Sequence, residues 1–292
     1  MPVQVVRHLD EALDALAAMP RAEPIAGGTD LMVEINFGRR RVSDVVAIDR
    51  VDELKELRTG REFRVAAGGD TRIRVGGGVT YTRLLTDGAG SVALWEASRT
   101  VGSPQIRNAG TIGGNLATSS PAGDTLPVFA ALDATVVLRS REGERRVKFG
   151  EFMTGPKRNV RRRDELVLAA EWDDAGPAQT FIKVGTRNAM VIAVASLAFV
   201  IDAARRRVGI ALGSCGPTII RAADAERFAQ GWLEERGWDR PRRPTEAERG
   251  ELGRLVAAAA RPIDDVRGTA AYRRHVLAVI AARAFDRLAV TT

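Results

Sequence analysis

Apolar and polar residues alternate in short runs over residues 1–50, and the period changes where glycines or acidic residues intervene. Val3-Gln4-Val5-Val6 predicts a strand. Asp10 predicts the cap of a helix whose apolar positions Ala12, Leu13, Leu16 and Ala17 follow helical spacing. Glu23 to Ala26 predicts a short strand that ends in Gly27-Gly28, after which Thr29 or Asp30 can cap another helical turn. Val45-Val46-Ala47-Ile48 predicts a further strand, so the segment reads as a small β-α-β-α-β unit.

A second α/β stretch covers about residues 54–176. Strands are predicted at Arg72–Val75, Thr135–Leu138, Arg145–Phe149 and Glu165–Glu171, and helices at Tyr81–Thr86, Ser91–Val101 and Thr125–Leu132. Gly102 to Ala122 predicts a long loop rich in Gly and Ser, and a loop of that length inside a compact domain points to function. Asp173-Asp174-Ala175-Gly176-Pro177 predicts a domain boundary. Three β-rich runs follow, Thr180–Val184, Val191–Ile201 and Val208–Leu212, and then charged helical segments over about 221–236, 245–260 and 268–289. Strands followed by a block of helices predict an α+β domain with helices over one face of an antiparallel sheet. The expected division is residues 1–176, in subdomains 1–53 and 54–176, followed by 177–292.

Composition narrows the chemistry. The chain has 292 residues with 45% hydrophobic residues, enough for a sizeable core. A single cysteine, Cys215, excludes an intrachain disulfide, a cysteine zinc site and an iron–sulfur cluster held by this chain alone. With only His8 and His275, a histidine-rich metal site is excluded as well, so any redox chemistry calls for an organic cofactor. The net charge is +7, and Lys appears only at 55, 148, 157 and 183, so the excess is arginine, in clusters such as Arg39-Arg40-Arg41, Arg161-Arg162-Arg163 and Arg205-Arg206-Arg207. Aromatics amount to 5%, too few for stacking platforms in a basic groove, so these clusters read as solvated surface or docking faces and not as a nucleic-acid site. Met1 to Asp10 lacks the pattern of a secretory signal, and the longest apolar stretch, Ala189 to Ile201, is too short to span a bilayer; a cytoplasmic chain is expected.

The suggestive chemistry sits in glycines at strand ends. Ile25-Ala26-Gly27-Gly28-Thr29-Asp30-Leu31 and Gly110-Thr111-Ile112-Gly113-Gly114-Asn115 share paired glycines beside polar side chains. Such loops let backbone N–H groups approach an anion, and two of them could hold a dinucleotide's phosphates from opposite sides. Each taken alone reads first as an ordinary tight turn, and neither fits the nicotinamide fingerprint or the P-loop. Gly76-Gly77-Gly78 reads as a structural turn. Asp124 reads as a helix N-cap or as an acceptor for a cofactor's ring or ribose. Lys183, inside the strand Phe181-Ile182-Lys183-Val184, is expected to face water, and Cys215 reads as a turn residue and not a nucleophile.

Three segments occur in order: Ile25–Leu31, Gly102-Ser103-Pro104-Gln105-Ile106-Arg107-Asn108-Ala109-Gly110-Thr111-Ile112-Gly113-Gly114-Asn115, and Pro121-Ala122-Gly123-Asp124. With Lys183-Val184-Gly185-Thr186-Arg187-Asn188-Ala189-Met190, Asp265-Val266-Arg267-Gly268 and Tyr272-Arg273, the chain resembles the FAD-binding, or medium, subunit of the molybdenum hydroxylases over nearly its whole length. That family includes xanthine dehydrogenases, carbon monoxide dehydrogenases and other enzymes that oxidise heterocycles or aldehydes. The resemblance implies an α+β chain: a two-part α/β FAD-binding domain of the PCMH type, followed by an antiparallel three-stranded sheet with helices.

It implies that Pro24, Ile25, Ala26, Gly27, Gly28, Thr29, Asp30 and Leu31, with Gly110, Thr111, Ile112, Gly113, Gly114 and Asn115, wrap the FAD pyrophosphate. Asp124 is expected near polar atoms of the cofactor, Lys183 near the flavin ring, and Val101 and Val167 at apolar contacts. No catalytic or metal-binding residue is expected in this chain. Thr29-Asp30 stands where carbon monoxide dehydrogenases have His-Ser, which together with Gly213–Thr218 favours the xanthine dehydrogenase side.

Molybdopterin is expected in a large partner subunit and two [2Fe–2S] clusters in a small one, assembled as a dimer of heterotrimers, with electrons leaving the FAD for NAD+ or another acceptor. A stand-alone flavoenzyme would need catalytic side chains that the C-terminal third lacks. A non-catalytic protein on a degenerate flavin fold is disfavoured by the intact glycine loops.

Overall fold

The computed structural model describes residues 2–58, 72–88, 90–239 and 241–291. Its first elements are β1 (Val3–Val5), α1 (Leu9–Ala18), β2 (Glu23–Ile25), α2 (Leu31–Asn36) and β3 (Val45–Ala47), with the strands parallel in the order β1-β3-β2. α1 buries Ala12, Leu13, Ala15 and Leu16 in a cluster with Val46 and, from the next sheet, Val137 and Leu168. Its cap differs from the expected one. The Glu11 carboxylate accepts from the amides of Arg7 (2.9 Å) and His8 (3.4 Å), the helix begins at Leu9, and Asp10 falls inside the first turn, where its charge suits the positive end of the helix.

The chain continues through a turn of 3₁₀ helix (Asp52–Lys55), β4 (Leu57–Arg58), β5 (Arg72–Gly76), α3 (Tyr81–Asp87) and α4 (Val92–Thr100). The expected loop from Gly102 to Ala122 contains two helices, α5 (Pro104–Ala109) and α6 (Ile112–Thr118). Each has its own start signal. Ser103 accepts from the amide of Ile106 (3.4 Å) ahead of Pro104 in the first turn, and Thr111 accepts from the amide of Gly114 (3.0 Å). Helices of 6 and 7 residues are too short to show an apolar period, which is why Gly and Ser dominated the reading.

After α7 (Leu126–Ala131) come β6 (Thr135–Ser140), β7 (Gly143–Lys148), α8 (Phe149–Phe152), β8 (Met153–Gly155), β9 (Arg158–Asn159) and β10 (Leu166–Asp173). An antiparallel sheet runs β4-β5-β10-β6-β7. Phe129 of α7, Phe149 and Trp172 of β10 pack in its core, with Phe129 ring centroids 5.8 Å from Trp172 and 6.3 Å from Phe149.

Beyond Pro177, β11 (Gln179–Val184), β12 (Ala195–Asp202) and β13 (Arg207–Gly213) pair antiparallel, and a short β14 (Ile220–Arg221) adds a fourth strand to the three expected. Two residues offer no alternating pattern to detect. α9 (Ala223–Arg236), α10 (Glu246–Ala259) and α11 (Ala270–Leu288) complete the chain. β12 is buried along its whole length: Leu197, Phe199 and Ile201 meet the three helices, while Ala198 and Val200 join the core of the preceding half. The four-stranded sheet is thus a shared wall, and α4 and α7 pack on the side away from the helices.

Candidate functional site

β2 runs into Ala26-Gly27-Gly28, and both glycines are dictated by what surrounds them. A Cβ on Gly27 would lie 1.7 Å from the carbonyl oxygen of Ala109 at the end of α5, and Gly28 takes φ +67°. The first loop is thereby pressed against the segment that leads into the second. Both loops line one groove of about 940 Å³, together with Tyr81, Val101 and Ile106.

The two loops are not equivalent. Among the described residues, the amides of Gly27, Gly28, Thr29 and Asp30 donate to nothing in the protein. In the second loop Ile112 donates to the carbonyl of Val79 (3.0 Å), Gly113 to that of Gly77 (2.8 Å) and Gly114 to the Thr111 hydroxyl (3.0 Å). Unpaired amides at the edge of a groove are donors awaiting an acceptor. The first loop offers four of them; the second has spent its helix-start amides on holding α6 to the β5–α3 turn. That turn contains Gly76-Gly77-Gly78, which acts as the structural element anticipated. Asn115 is fixed by accepting from the Thr125 hydroxyl (2.7 Å).

Pro24 to Leu31, Val101, Gly110, Thr111, Gly114 and Asn115 all line the groove, while Ile112 and Gly113 are buried behind it. Val167 is also absent from the groove wall: it is buried in the sheet core, with its carbonyl oxygen against Gly77.

Asp124 and Lys183 form a pair one step behind the groove. Lys183 donates to the Asp124 carboxylate (2.6 Å) and to the carbonyl of Thr100 (3.0 Å), the residue before Val101. Both side chains are only 7% exposed, so Lys183 does not face water as its strand position suggested. The end of α4 covers that face of β11. Asp124 does not cap α7 either; Thr125 holds the cap position. Burial pushes the Asp124 carboxyl up to about 6, against the opposing pull of Lys183. Its Oδ1 atom is buried with no hydrogen-bond partner, and neither Asp124 nor Lys183 is part of the groove wall. Tyr81, which lines the groove, is pushed above the ordinary phenol range by burial first and by Asp124 and Asp30 next.

Sequence reasoning missed the basic part of the wall. Lys157, Arg158, Asn159, Arg161 and Arg163 line the groove together with the glycine loops, as do Arg39 and Arg40. The Arg161-Arg162-Arg163 run, which the sequence suggests as solvated surface or a docking face, supplies two of these side chains. Cys215 is buried, which pushes its thiol up to about 12 and keeps it protonated. No cluster of three or more potential metal ligands occurs among the described residues, and no helix among them is long and apolar enough to cross a membrane.

Comparison with known proteins accords with this geometry. Residues 2–171 match the family model described as the FAD binding domain in molybdopterin dehydrogenase, and residues 180–288 match the CO dehydrogenase flavoprotein C-terminal domain. The chain is 37% identical over 198 residues to the nicotinate dehydrogenase FAD-subunit of Eubacterium barkeri, covering 64% of each chain. It is 29% identical to the glyceraldehyde dehydrogenase medium chain of Sulfolobus acidocaldarius, over 96% of this chain and 95% of that one. Among solved structures, CO dehydrogenase from Oligotropha carboxidovorans superposes with a TM-score of 0.84 at 22% identity, covering 100% of this chain and 98% of that chain. Quinoline 2-oxidoreductase from Pseudomonas putida 86 does so with 0.83 at 23%, covering 99% and 96%. At such identities the structural likeness establishes the fold.

Proposed function

The chain belongs to the family of the FAD binding domain in molybdopterin dehydrogenase, and we propose that it is the electron-transferring flavoprotein subunit of a xanthine dehydrogenase-like molybdenum hydroxylase. The observation that carries this reading is the row of unpaired amides at Gly27–Asp30 on the wall of a groove of about 940 Å³. Bound FAD supplies the capacity to accept and release electrons singly or in pairs.

This chain's residues bind, orient and shield. The first loop's amides donate to the diphosphate, while Gly110, Thr111, Gly114 and Asn115 close the groove from the α6 side. Val101 and Ile106 offer apolar wall near the end where Lys183 and Asp124 meet. Lys183 keeps a positive charge near that end, where it favours negative charge on the ring; Asp124 and the Thr100 carbonyl fix its position.

In this reading the substrate would be oxidised in a large molybdopterin partner, and electrons would arrive through two [2Fe–2S] clusters of a small partner and leave to NAD+ or another acceptor. The complex is a dimer of heterotrimers in the cytoplasm. The substrate of the large partner follows from Thr29-Asp30 only as a lean toward the xanthine dehydrogenase group over the carbon monoxide group.

The visible spectrum of the purified chain, alone and co-expressed with its partners, tests the proposal. Bands near about 370 and 450 nm from a bound flavin are expected. A colourless protein that takes up no added FAD in either preparation would refute it. Anaerobic bleaching of the complex by NADH tests the acceptor.

A further inference from the structure

Charge in the groove is lopsided. Its walls carry three carboxylates, Glu23, Asp30 and Glu34, against six cations. Arg40 takes Glu23 (2.5 Å) and Glu34 (3.6 Å), and Lys157 also takes Glu34 (2.5 Å). Asp30, on the first glycine loop, has no ion-pair partner among the described residues, so a bound diphosphate meets an uncompensated negative charge beside the amides that receive it.

In the same groove, Arg158 and Arg163 have no carboxylate partner among the described residues, and Arg39 has only a stacking contact with Phe37. Arg161 is held in place: its Nη1 donates to the carbonyls of Arg162 (2.9 Å) and Glu165 (2.6 Å), while no carboxylate lies within ion-pair distance. It is half-buried, and burial lowers its pKa against the opposing charges of Glu23 and Glu165. The wall is also anchored to the loop side. Lys157 bonds to Glu34 of α2, and Asn159 donates to the carbonyl of Ala117 (2.8 Å) and to Ser119 (3.0 Å) at the end of α6. Segment 157–163 therefore stands at fixed distance from both glycine loops.

We propose that segment 157–163 is a basic clamp for the diphosphate of the bound dinucleotide, with Arg158 and Arg161 supplying the counter-charge that Asp30 and the loop amides leave unmet. The proposal rests on the FAD reading above and adds to it a third, charged wall. The ligand class is a nucleotide diphosphate, and a planar guanidinium is the side chain best suited to paired phosphate oxygens.

The test uses the FAD-free chain, with ADP as the probe and FAD as the second ligand, titrated calorimetrically at low and high salt. R158Q and R161Q are each expected to weaken ADP and FAD binding about tenfold. Both should also flatten the salt dependence. R161K should recover part of the loss, and R274Q, on the exposed face of α11, should change nothing. Thermal melts of the ligand-free variants report folding, and if R161Q does not fold, R158Q and R161K decide the matter. ADP and FAD binding by R158Q and R161Q with wild-type affinity and salt response overturns the clamp. Failure of the wild-type chain to bind either ligand overturns the FAD reading itself, a distinct result.

Discussion

At Gly27 a methyl group would lie 1.7 Å from the carbonyl oxygen of Ala109, a backbone atom facing a Cβ whose position the backbone fixes. No rotamer change relieves such a clash, so Gly27→Ala must push the first loop away from the α5 end and spoil the row of amides. The expected outcome is a chain that folds but keeps little flavin, seen as a fall in the flavin-to-protein absorbance ratio. Gly28→Ala meets only side chains of Ile25 and Met32, both at 3.2 Å, but must hold φ +67°. That strain costs about 1–2 kcal/mol, so its flavin loss should be the smaller of the two. Equal, wild-type flavin content in both variants would mean that the loop does not form the diphosphate seat.

Elements were legible in proportion to their length and period. The parallel unit of β1 to β3, the strands β5, β6 and β10 to β13 and the three C-terminal helices follow directly from alternation and helical spacing. α5, α6 and β14 did not, because six-, seven- and two-residue elements are set by caps and neighbours and leave no period. Of the candidate site, the loop residues were readable from glycine pairs. The Asp124–Lys183 pair was not, since the two lie 59 positions apart and only α4 covering β11 makes them partners.

The turn before α11 shows the same dependence on tertiary partners. Arg273 of α11 is 1% exposed and donates to Asp265 (2.6 Å), Ser214 O (2.7 Å) and Val194 O (3.0 Å). Hydrogen bonds from Arg267, with the charge of Arg273 beside it, hold the Asp265 carboxyl well below the usual range. A carboxyl depressed in the folded state stabilises fully above its unfolded pKa of about 3.9, and the contribution is lost as pH falls through the folded value. Asp265→Asn leaves Arg273 buried without its counter-ion and should cost about 3 kcal/mol at pH 7. In urea melts the gap to wild type should narrow once the pH drops below about 4; a gap independent of pH would show that the pair contributes no charge interaction.

For the whole molecule, the sheet β11–β14 joins the two halves. Glu96 of α4 accepts from Thr180 (2.9 Å), the Phe181 amide (2.7 Å) and Arg287 of α11 (2.7 Å), and Ser91 donates to Gln179 (2.5 Å). Lys183–Asp124 belongs to this seam, yet it differs from the other bonds because it leaves Oδ1 of Asp124 unmatched. The pair also holds the Thr100 carbonyl, the residue before Val101 in the groove wall, so it can act on the groove as well as on the seam. The two roles separate in a double-mutant cycle. Lys183→Met strands a buried carboxylate and should cost about 3 kcal/mol, and adding Asp124→Asn should recover much of that loss because no charge is then left unpaired. Stability is thus restorable without Lys183. The flavin midpoint potential separates the two charges: if the lysine's charge favours the reduced ring, Lys183→Met moves it to more negative values than wild type and Asp124→Asn alone does not. A potential equal to wild type in Lys183→Met would reduce Lys183 to a bolt between the two halves.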